Sequence, residues 1–178
     1  TRFFGFFLAS FGVTLGVAFS ANIVTMYLFY ELLTLATLPL VMHAMNGKAR
    51  YAGKTYILYS MTGAGLGFVS MIFILYYGSG EFIPGGNLNI ARLAGSENVM
   101  QMFFVLGFFG FGVKAAIFPF HGWLLDASVA PTPVTALLHA VAVVKSGVFA
   151  VMRLTYYCLG AEVLFGTWAQ VVVVCAAA

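Results

Sequence analysis

Long apolar stretches separated by short polar segments run along the whole chain, and apolar residues follow one another instead of alternating with polar ones. This pattern predicts membrane-spanning α-helices rather than barrel strands, because a helix needs about 20 mostly apolar residues to cross the hydrocarbon core. Five complete spans are expected, at about residues 3–19, 23–45, 55–77, 99–118 and 134–157, with the start of a sixth near residue 162. The predicted fold class is therefore all-α, a polytopic transmembrane helix bundle.

The composition supports an integral membrane protein. Hydrophobic residues make up 62% of the chain and charged residues 7%, whereas a soluble domain carries roughly 25% charged residues. The formal net charge of +3 is small and spread out, so nucleic acid is not an expected partner. Both ends lie in apolar stretches, and we expect residues 1–178 to be a single transmembrane domain cut from a longer protein. Cys158 and Cys175 belong to no CxxC motif or Cys/His cluster, which predicts buried, inert thiols and no metal site.

The polar segments predict the orientation of the bundle. Lys48, Arg50 and Lys54 lie between the second and third predicted spans, and the positive-inside rule assigns such a basic loop to the cytoplasmic side. Residues 78–98 are the longest polar segment and contain the turn sequence Pro84-Gly85-Gly86. We expect this segment to be an outer loop.

One stretch combines a lysine with a helix break. Lys114 follows the apolar residues 99–111, and Pro119 comes five residues later. Proline removes a helical hydrogen bond, and a broken helix is tolerated at membrane depth only where the freed backbone is buried in protein or lines a hydrated cavity. A lysine in such surroundings needs a partner or water. Together the two features indicate an ion path rather than a simple anchor, with the helix break near Pro119.

An acidic residue of opposite sign lies on another span. Glu31 falls near the middle of the second span, where a carboxylate costs a few kcal/mol unless it is paired or protonated. We expect it to pair with Lys114, although a neutral, hydrogen-bonded acid remains an alternative. Opposite charges about 4 Å apart attract by roughly 4 kcal/mol at an effective dielectric of about 20, which offsets much of the cost of burial. Such a marginal pair is suited to act as a switch for proton binding.

The fifth predicted span carries two further ionisable residues. His139 and Lys145 are about 9 Å apart along the helix axis and on different faces, so water or other side chains must connect them. Histidine exchanges protons near neutral pH, and we expect both residues to relay protons; the alternatives are a hydrogen-bonded core histidine and a structural ion pair. His121, beside Pro119, is either interfacial or part of the relay. Asp126 is either a cap or surface ion-pair partner, or it also belongs to the relay.

Three stretches of the chain carry a resemblance to a known family. They are Tyr30-Glu31-Leu32-Leu33, the stretch from Lys114 through Pro119-Phe120-His121-Gly122-Trp123-Leu124-Leu125-Asp126-Ala127, and Pro131-Thr132-Pro133-Val134-Thr135-Ala136-Leu137-Leu138-His139-Ala140 with Lys145-Ser146-Gly147-Val148. They resemble the antiporter-like membrane subunits of respiratory NADH–quinone oxidoreductase (complex I), Mrp-type cation/proton antiporters and membrane-bound hydrogenases. The resemblance covers essentially the whole chain. It departs at Leu125, where proline is usual in the family.

The resemblance implies a fold and a set of roles. The chain would be one inverted five-helix repeat, containing a broken helix, from a longer antiporter-like protein. Glu31 would match the family's glutamate, Lys114 its lysine on the broken helix, and His139 and Lys145 the relay positions. Some members have only one of these last two residues, and the presence of both favours the Mrp-like or hydrogenase-like branch.

The same resemblance implies proton or cation translocation by a Glu–Lys switch and a Lys/His relay. The protein would lie in the plasma membrane of a prokaryote, beside other membrane subunits of a larger complex. It would hold no redox centre or cofactor of its own, even as part of an NADH–quinone oxidoreductase. Sodium as a second coupled ion is left open.

Two other classes of function remain at this point. A quinone- or haem-binding redox protein would need facing histidines at matched depth, whereas His43, His121 and His139 are predicted at different depths. A small-molecule secondary transporter would also use broken helices, and it would have a cavity of substrate size.

Overall fold

The computed structural model describes residues 2–93 and 95–177, which form an all-helical bundle. The helices are α1 Arg2–Ala18, α2 Ile23–Val41, α3 Gly47–Tyr77, α4 Ile90–Leu93, α5 Glu97–Gly112, α6 Gly122–Ala127, α7 Thr132–Leu159, α8 Ala161–Leu164 and α9 Trp168–Ala177. Among these described residues, three helices, α2, α3 and α7, are long and apolar enough to cross a membrane. The predicted polytopic helix bundle is confirmed, whereas the five-helix repeat remains a prediction.

The basic segment between the second and third spans is helical, not a loop as we expected. α3 begins at Gly47, because the Asn46 side chain caps the helix by accepting a hydrogen bond of 2.8 Å from the backbone N–H of Ala49. Lys48 and Arg50 therefore lie on the first turn of a 31-residue helix, with Lys54 further along it. We refer to this part of the bundle as the basic end.

Close helix packing brings α3 against α5. A Cβ atom added at Gly63 would lie 2.7 Å from the Gly110 carbonyl oxygen, and one added at Gly110 would lie 2.8 Å from the Gly63 carbonyl oxygen. Only glycine permits this approach of two backbones. By contrast, a Cβ atom at Gly65 would meet nothing within 4 Å.

Two apolar cores fill the bundle, one above the other. The first includes Tyr30 of α2 and Phe111 of α5, and the second includes Leu33 of α2 and Val113 just after α5. Glu31 and Lys114 are therefore flanked by both cores. The seam between the cores is where the two charged residues of the predicted pair are placed.

The helix before the break, α5, ends earlier in the sequence than Pro119 alone would require. α5 ends at Gly112, residues 113–121 form turns, and α6 begins at Gly122. Ala116 adopts a left-handed φ of 57°, and the Phe118–Pro119 peptide bond is cis. Proline disfavours helix at the residue before it, but the glycine at the helix end and the left-handed residue stop α5 well before that point.

The helix α7 is irregular, which its sequence did not predict. It begins with Pro133 in its first turn, as expected for a residue that lacks a backbone N–H. Two π-helical segments, Leu137–Val141 and Leu154–Leu159, interrupt the α-helical geometry. Such segments occur often at functional sites, and the first of them carries His139.

Candidate functional site

The carbonyl groups freed at the end of α5 are bound by donors from three parts of the chain. The Tyr30 hydroxyl donates to the Phe111 carbonyl at 2.9 Å, and the Trp123 indole N–H donates to the Val113 carbonyl at 2.7 Å. The backbone N–H of Ile117 donates to the Gly112 carbonyl at 3.1 Å. These contacts meet the requirement that backbone groups inside a membrane be satisfied by protein.

Lys114 lies at the start of this broken segment and is almost completely buried. Its side chain is 1% exposed, and its Nζ lies 3.4 Å from Oε1 of Glu31, whose side chain is 25% exposed. The ammonium also donates to the backbone carbonyl of Tyr30 and lies 3.5 Å from the centre of the Tyr30 ring. Tyr30 therefore binds the lysine with its carbonyl and ring while its hydroxyl holds the broken helix.

The Glu31–Lys114 contact is the only ion pair among residues 2–93 and 95–177. At this separation the attraction is about 5 kcal/mol for an effective dielectric of about 20, while burying each ion costs several kcal/mol. The cation–π contact and the carbonyl hydrogen bond add to the stabilisation of the ammonium. Glu31 is only partly buried, so the two members of the pair differ in their exposure.

The predicted relay residues lie elsewhere on α7. His139 is half-buried, and its Nε2 lies 3.2 Å from the Ser128 hydroxyl. Lys145 is exposed and lines a cavity of about 170 Å³ between α1 and α7, together with Thr14 and Ser146. The structure thus brings Glu31 and Lys114 together, while His139 and Lys145 have other surroundings.

The two remaining candidates lie near the broken segment. His121 is exposed and stacks on Phe118, with ring centres 5.9 Å apart. Asp126 lines a cavity of about 660 Å³ between α3 and α6, and Lys54 lines the same cavity. This cavity lies next to a second one, of about 330 Å³, and the two share Leu58 and Tyr59. Together they form a groove along α3 that reaches Pro119.

Gly147 of α7 packs directly against the broken segment. A Cβ atom there would lie 2.7 Å from the Lys114 carbonyl carbon and would also collide with the backbone nitrogen of Ala115. This glycine therefore lets α7 support the backbone that carries the lysine.

The roles of Tyr30 and Trp123 were not among the features predicted from the sequence. The signal was present, because a broken helix in a membrane needs hydrogen-bond donors for its freed carbonyls, and buried tyrosine and tryptophan each supply one.

Cys158 is buried as expected, whereas Cys175 is exposed in the described part of the chain, so the expectation for Cys175 was wrong. Within the residues that the structure describes, no group of three or more histidine, cysteine, aspartate or glutamate side chains could hold a metal ion.

The apolar helix bundle with its buried Glu–Lys pair is that of an integral membrane protein. Comparison with known proteins identifies its family. Residues 20–178 match the family described as NADH:quinone oxidoreductase/Mrp antiporter, transmembrane region. The chain belongs to this family. It is a multi-pass integral membrane protein of a prokaryotic plasma membrane.

Curated relatives are subunits of bacterial cation/proton antiporters. The chain is 35% identical over 155 residues to a Na(+)/H(+) antiporter subunit from Alkalihalophilus pseudofirmus, a match that covers 86% of this chain and 19% of that protein. It is 34% identical over 169 residues to a probable K(+)/H(+) antiporter subunit from Rhizobium meliloti, covering 92% of this chain and 16% of that protein. The chain thus spans about a fifth of the length of these relatives.

Two solved structures share the fold. A chain of the archaeal membrane-bound sulfane sulfur reductase, a respiratory membrane complex, matches with a TM-score of 0.68 and 28% identity, over 82% of this chain and 30% of that chain. A chain of the Mrp complex from Dietzia sp. DQ12-45-1b matches with a TM-score of 0.69 and 21% identity, over 90% of this chain and 30% of that chain. Both matches support the helix arrangement described above.

Proposed function

We propose that the chain forms part of a protein that moves protons across the membrane within a multi-subunit cation/proton antiporter or respiratory complex. The observation that supports it most directly is the contact of 3.4 Å between Lys114 and Glu31 at a broken helix. The relatives named as Na(+)/H(+) and K(+)/H(+) antiporter subunits support the same class of activity, and we propose sodium or potassium as the second coupled ion.

The pair would work as a switch. While Glu31 is ionised and in contact, it stabilises the ammonium of Lys114; when the two separate, Lys114 gives up its proton more readily and Glu31 accepts one more readily. A small shift of α2 against the broken segment is enough to change the separation, because Lys114 is held by a turn and not by a regular helix. Glu31 would take up protons and Lys114 would pass them on.

The released proton would travel towards Lys145 and His139 on α7. Neither residue contacts the pair directly, so water must complete the route, and the cavity beside Lys145 offers space for it. Asp126 lines the groove along α3 and His121 lies at the end of the broken segment, and we propose for them either a part in the relay or a place at the membrane interface.

The decisive test of the switch is Glu31→Gln in the full-length protein, reconstituted with its partner subunits in liposomes. We expect proton flux to fall by about 100-fold or more, because the amide cannot carry a proton and no longer stabilises the ammonium. Glu97→Gln, on the exposed first turn of α5, is the matched control and should keep normal flux. Normal flux in an assembled Glu31→Gln complex would exclude the proposed function.

A second variant, Lys145→Ala, tests the proposed relay. We expect strongly reduced proton flux with unchanged assembly, since Lys145 is exposed on the described part of the chain and its loss leaves the packing of α7 intact. Lys48→Ala, on the first turn of α3, controls for removing a lysine. Proton flux should be measured per assembled complex, and undiminished flux would remove Lys145 from the path.

The surroundings of the histidines do not favour the alternative of a haem-binding redox protein. His43 packs against Phe3 with ring centres 5.0 Å apart, His121 stacks on Phe118, and His139 faces Ser128. A haem would need two of these rings to approach one iron from opposite sides. An optical spectrum of the purified complex, compared before and after removal of this protein, would detect such a group.

A further inference from the structure

A cluster of hydroxyl groups lies buried between α2 and α3, outside the pair and the predicted relay. Its members are Thr34 and Thr37 of α2 and Tyr56 and Ser60 of α3, and we name them the hydroxyl cluster. All four are almost fully buried, with exposed fractions of 0–2%. Serine and threonine are common where helices pack inside a membrane, and there they form hydrogen bonds within and between helices.

Hydrogen bonds order most of this cluster. The Thr37 hydroxyl donates to the Leu33 carbonyl at 2.7 Å, which is the usual contact of a threonine within a helix. The Tyr56 hydroxyl lies 2.7 Å from the Thr37 oxygen and, with that donation made, is the donor between them. The hydroxyls of Ser60 and Thr34 lie close to the same phenol. Tyr56 is thus the centre of the cluster.

Thr34 is the exception. Its hydroxyl oxygen is buried and has no hydrogen-bond partner in the described part of the chain. A buried hydroxyl without a partner is costly, and valine would fill the same space without that cost. The cluster therefore keeps a group that packing alone does not favour.

The positions of these residues form a column that starts at the pair. Glu31, Thr34 and Thr37 are spaced by three residues, so each is a neighbour of the one before it on the surface of α2, along a line that winds round the helix by about 60° per step. The column runs from Glu31 towards the basic end, since α2 ends at Val41 and α3 begins there at Gly47. Tyr56 is nine residues into α3, or about 14 Å along its axis.

We propose that the hydroxyl cluster is the proton-conducting branch that connects Glu31 with the half of the membrane at the basic end. This inference rests on the proposed function and names the residues that would supply protons to the switch. Each hydroxyl has one hydrogen to donate and lone pairs to accept, so it can take a proton on one side while releasing its own on the other. No group in the cluster changes its charge once the proton has passed.

Within this branch Thr34 joins the carboxylate to the phenol. It lies one helical turn from Glu31 and beside Tyr56, and its hydroxyl has hydrogen-bonding capacity free for a carboxyl group or a water molecule. A proton that arrives at Tyr56 would pass through Thr34 to the Glu31 carboxylate, which becomes neutral and leaves Lys114. Once Lys114 has given its own proton to the relay, the proton on Glu31 passes to the neutral Lys114 amine, and the ion pair forms again.

The groove on the other side of α3 is a competing route. It is lined by Thr55, Tyr59 and Thr62, and it reaches Pro119 without passing the hydroxyl cluster. Thr62 donates to the Leu58 carbonyl at 2.8 Å in an exposed position, whereas the hydroxyl cluster is buried and aligned with Glu31. The two routes can be separated by substitution, because they use different faces of α3.

The test uses Thr34→Val and Tyr56→Phe in the full-length complex, reconstituted in liposomes, with proton flux and thermal unfolding measured on the same samples. We expect each to lower flux by about tenfold. Thr34→Val should leave the unfolding midpoint unchanged or higher, because it removes an unpartnered hydroxyl. Thr34→Ser keeps the hydroxyl and should restore flux.

Two controls and one reference complete the design. Ser70→Ala removes another buried, unpartnered hydroxyl of α3 that lies outside the column, and it should keep normal flux. Thr62→Val tests the groove and should also keep normal flux. Glu31→Gln reports on the switch itself.

The outcomes are distinct. Normal flux in an assembled Thr34→Val complex, while Glu31→Gln is inactive, overturns the hydroxyl branch and leaves the proposed function in place. Loss of flux in Thr62→Val with normal flux in Tyr56→Phe assigns the route to the groove and also overturns it. Normal flux in Glu31→Gln would instead reject the switch, and with it the branch that feeds it.

Discussion

Lys114→Met is expected to abolish proton flux through the reconstituted complex. Methionine fills much of the same space but has no proton to bind or release, and it leaves Glu31 without a partner beside the seam of the two apolar cores. Loss of a group that transfers protons costs about 100-fold or more in rate. The measurement is proton flux into liposomes per assembled complex.

Lys114→Arg separates the two roles that the lysine could play. Arginine keeps the positive charge near Glu31 but holds its proton too tightly to release it, so we expect flux to be lost here too. Lys48→Arg on the first turn of α3 is the matched control and should be active. Full activity of Lys114→Arg would show that the site supplies a fixed charge and does not carry the proton.

Gly147→Ala should be nearly as damaging, although this residue has no ionisable group. Its added methyl group would lie 2.7 Å from the Lys114 carbonyl carbon, so either α7 or the broken segment must move. Forced overpacking costs about 1–3 kcal/mol, and any movement of the segment changes the distance between Lys114 and Glu31. We expect a lower unfolding midpoint together with reduced proton flux.

Gly65→Ala is the control for this variant. It also replaces a helix glycine by alanine, but an added Cβ atom at Gly65 meets nothing within 4 Å. Alanine favours helix over glycine by about 1 kcal/mol, so the control should be neutral or slightly stabilising. Equal behaviour of the two variants would show that the close approach of α7 to the broken segment is unimportant.

The sequence was most informative where burial is costly. A carboxylate and an ammonium inside apolar spans need each other, and the structure places Glu31 and Lys114 3.4 Å apart. Their role in proton transfer remains a prediction. The resemblance of the Lys114–Asp126 stretch to antiporter-like proteins is confirmed by the family to which the chain belongs.

Other features depend on information that the local sequence does not carry. The basic residues Lys48 and Lys54 suggested a loop, but a single capping residue, Asn46, is enough to extend α3 over them. The end of α5 at Gly112 depends in part on Tyr30, whose hydroxyl donates to the Phe111 carbonyl 81 residues later and offsets the hydrogen-bonding cost of an early break. Partners so far apart in sequence are visible only once the helices are packed.

The π-helical segment of α7 has a consequence for how this helix tolerates insertions and deletions. A π-helical turn holds about one residue more than an α-helical turn, because its hydrogen bonds join residues five apart instead of four. Deleting one residue within Leu137–Val141 would therefore convert this turn to α-helix and leave Lys145 and Gly147 on the faces that they now occupy. Deleting Val144 from the regular α-helix that follows would instead rotate both residues by about 100°, away from the cavity wall and from the broken segment.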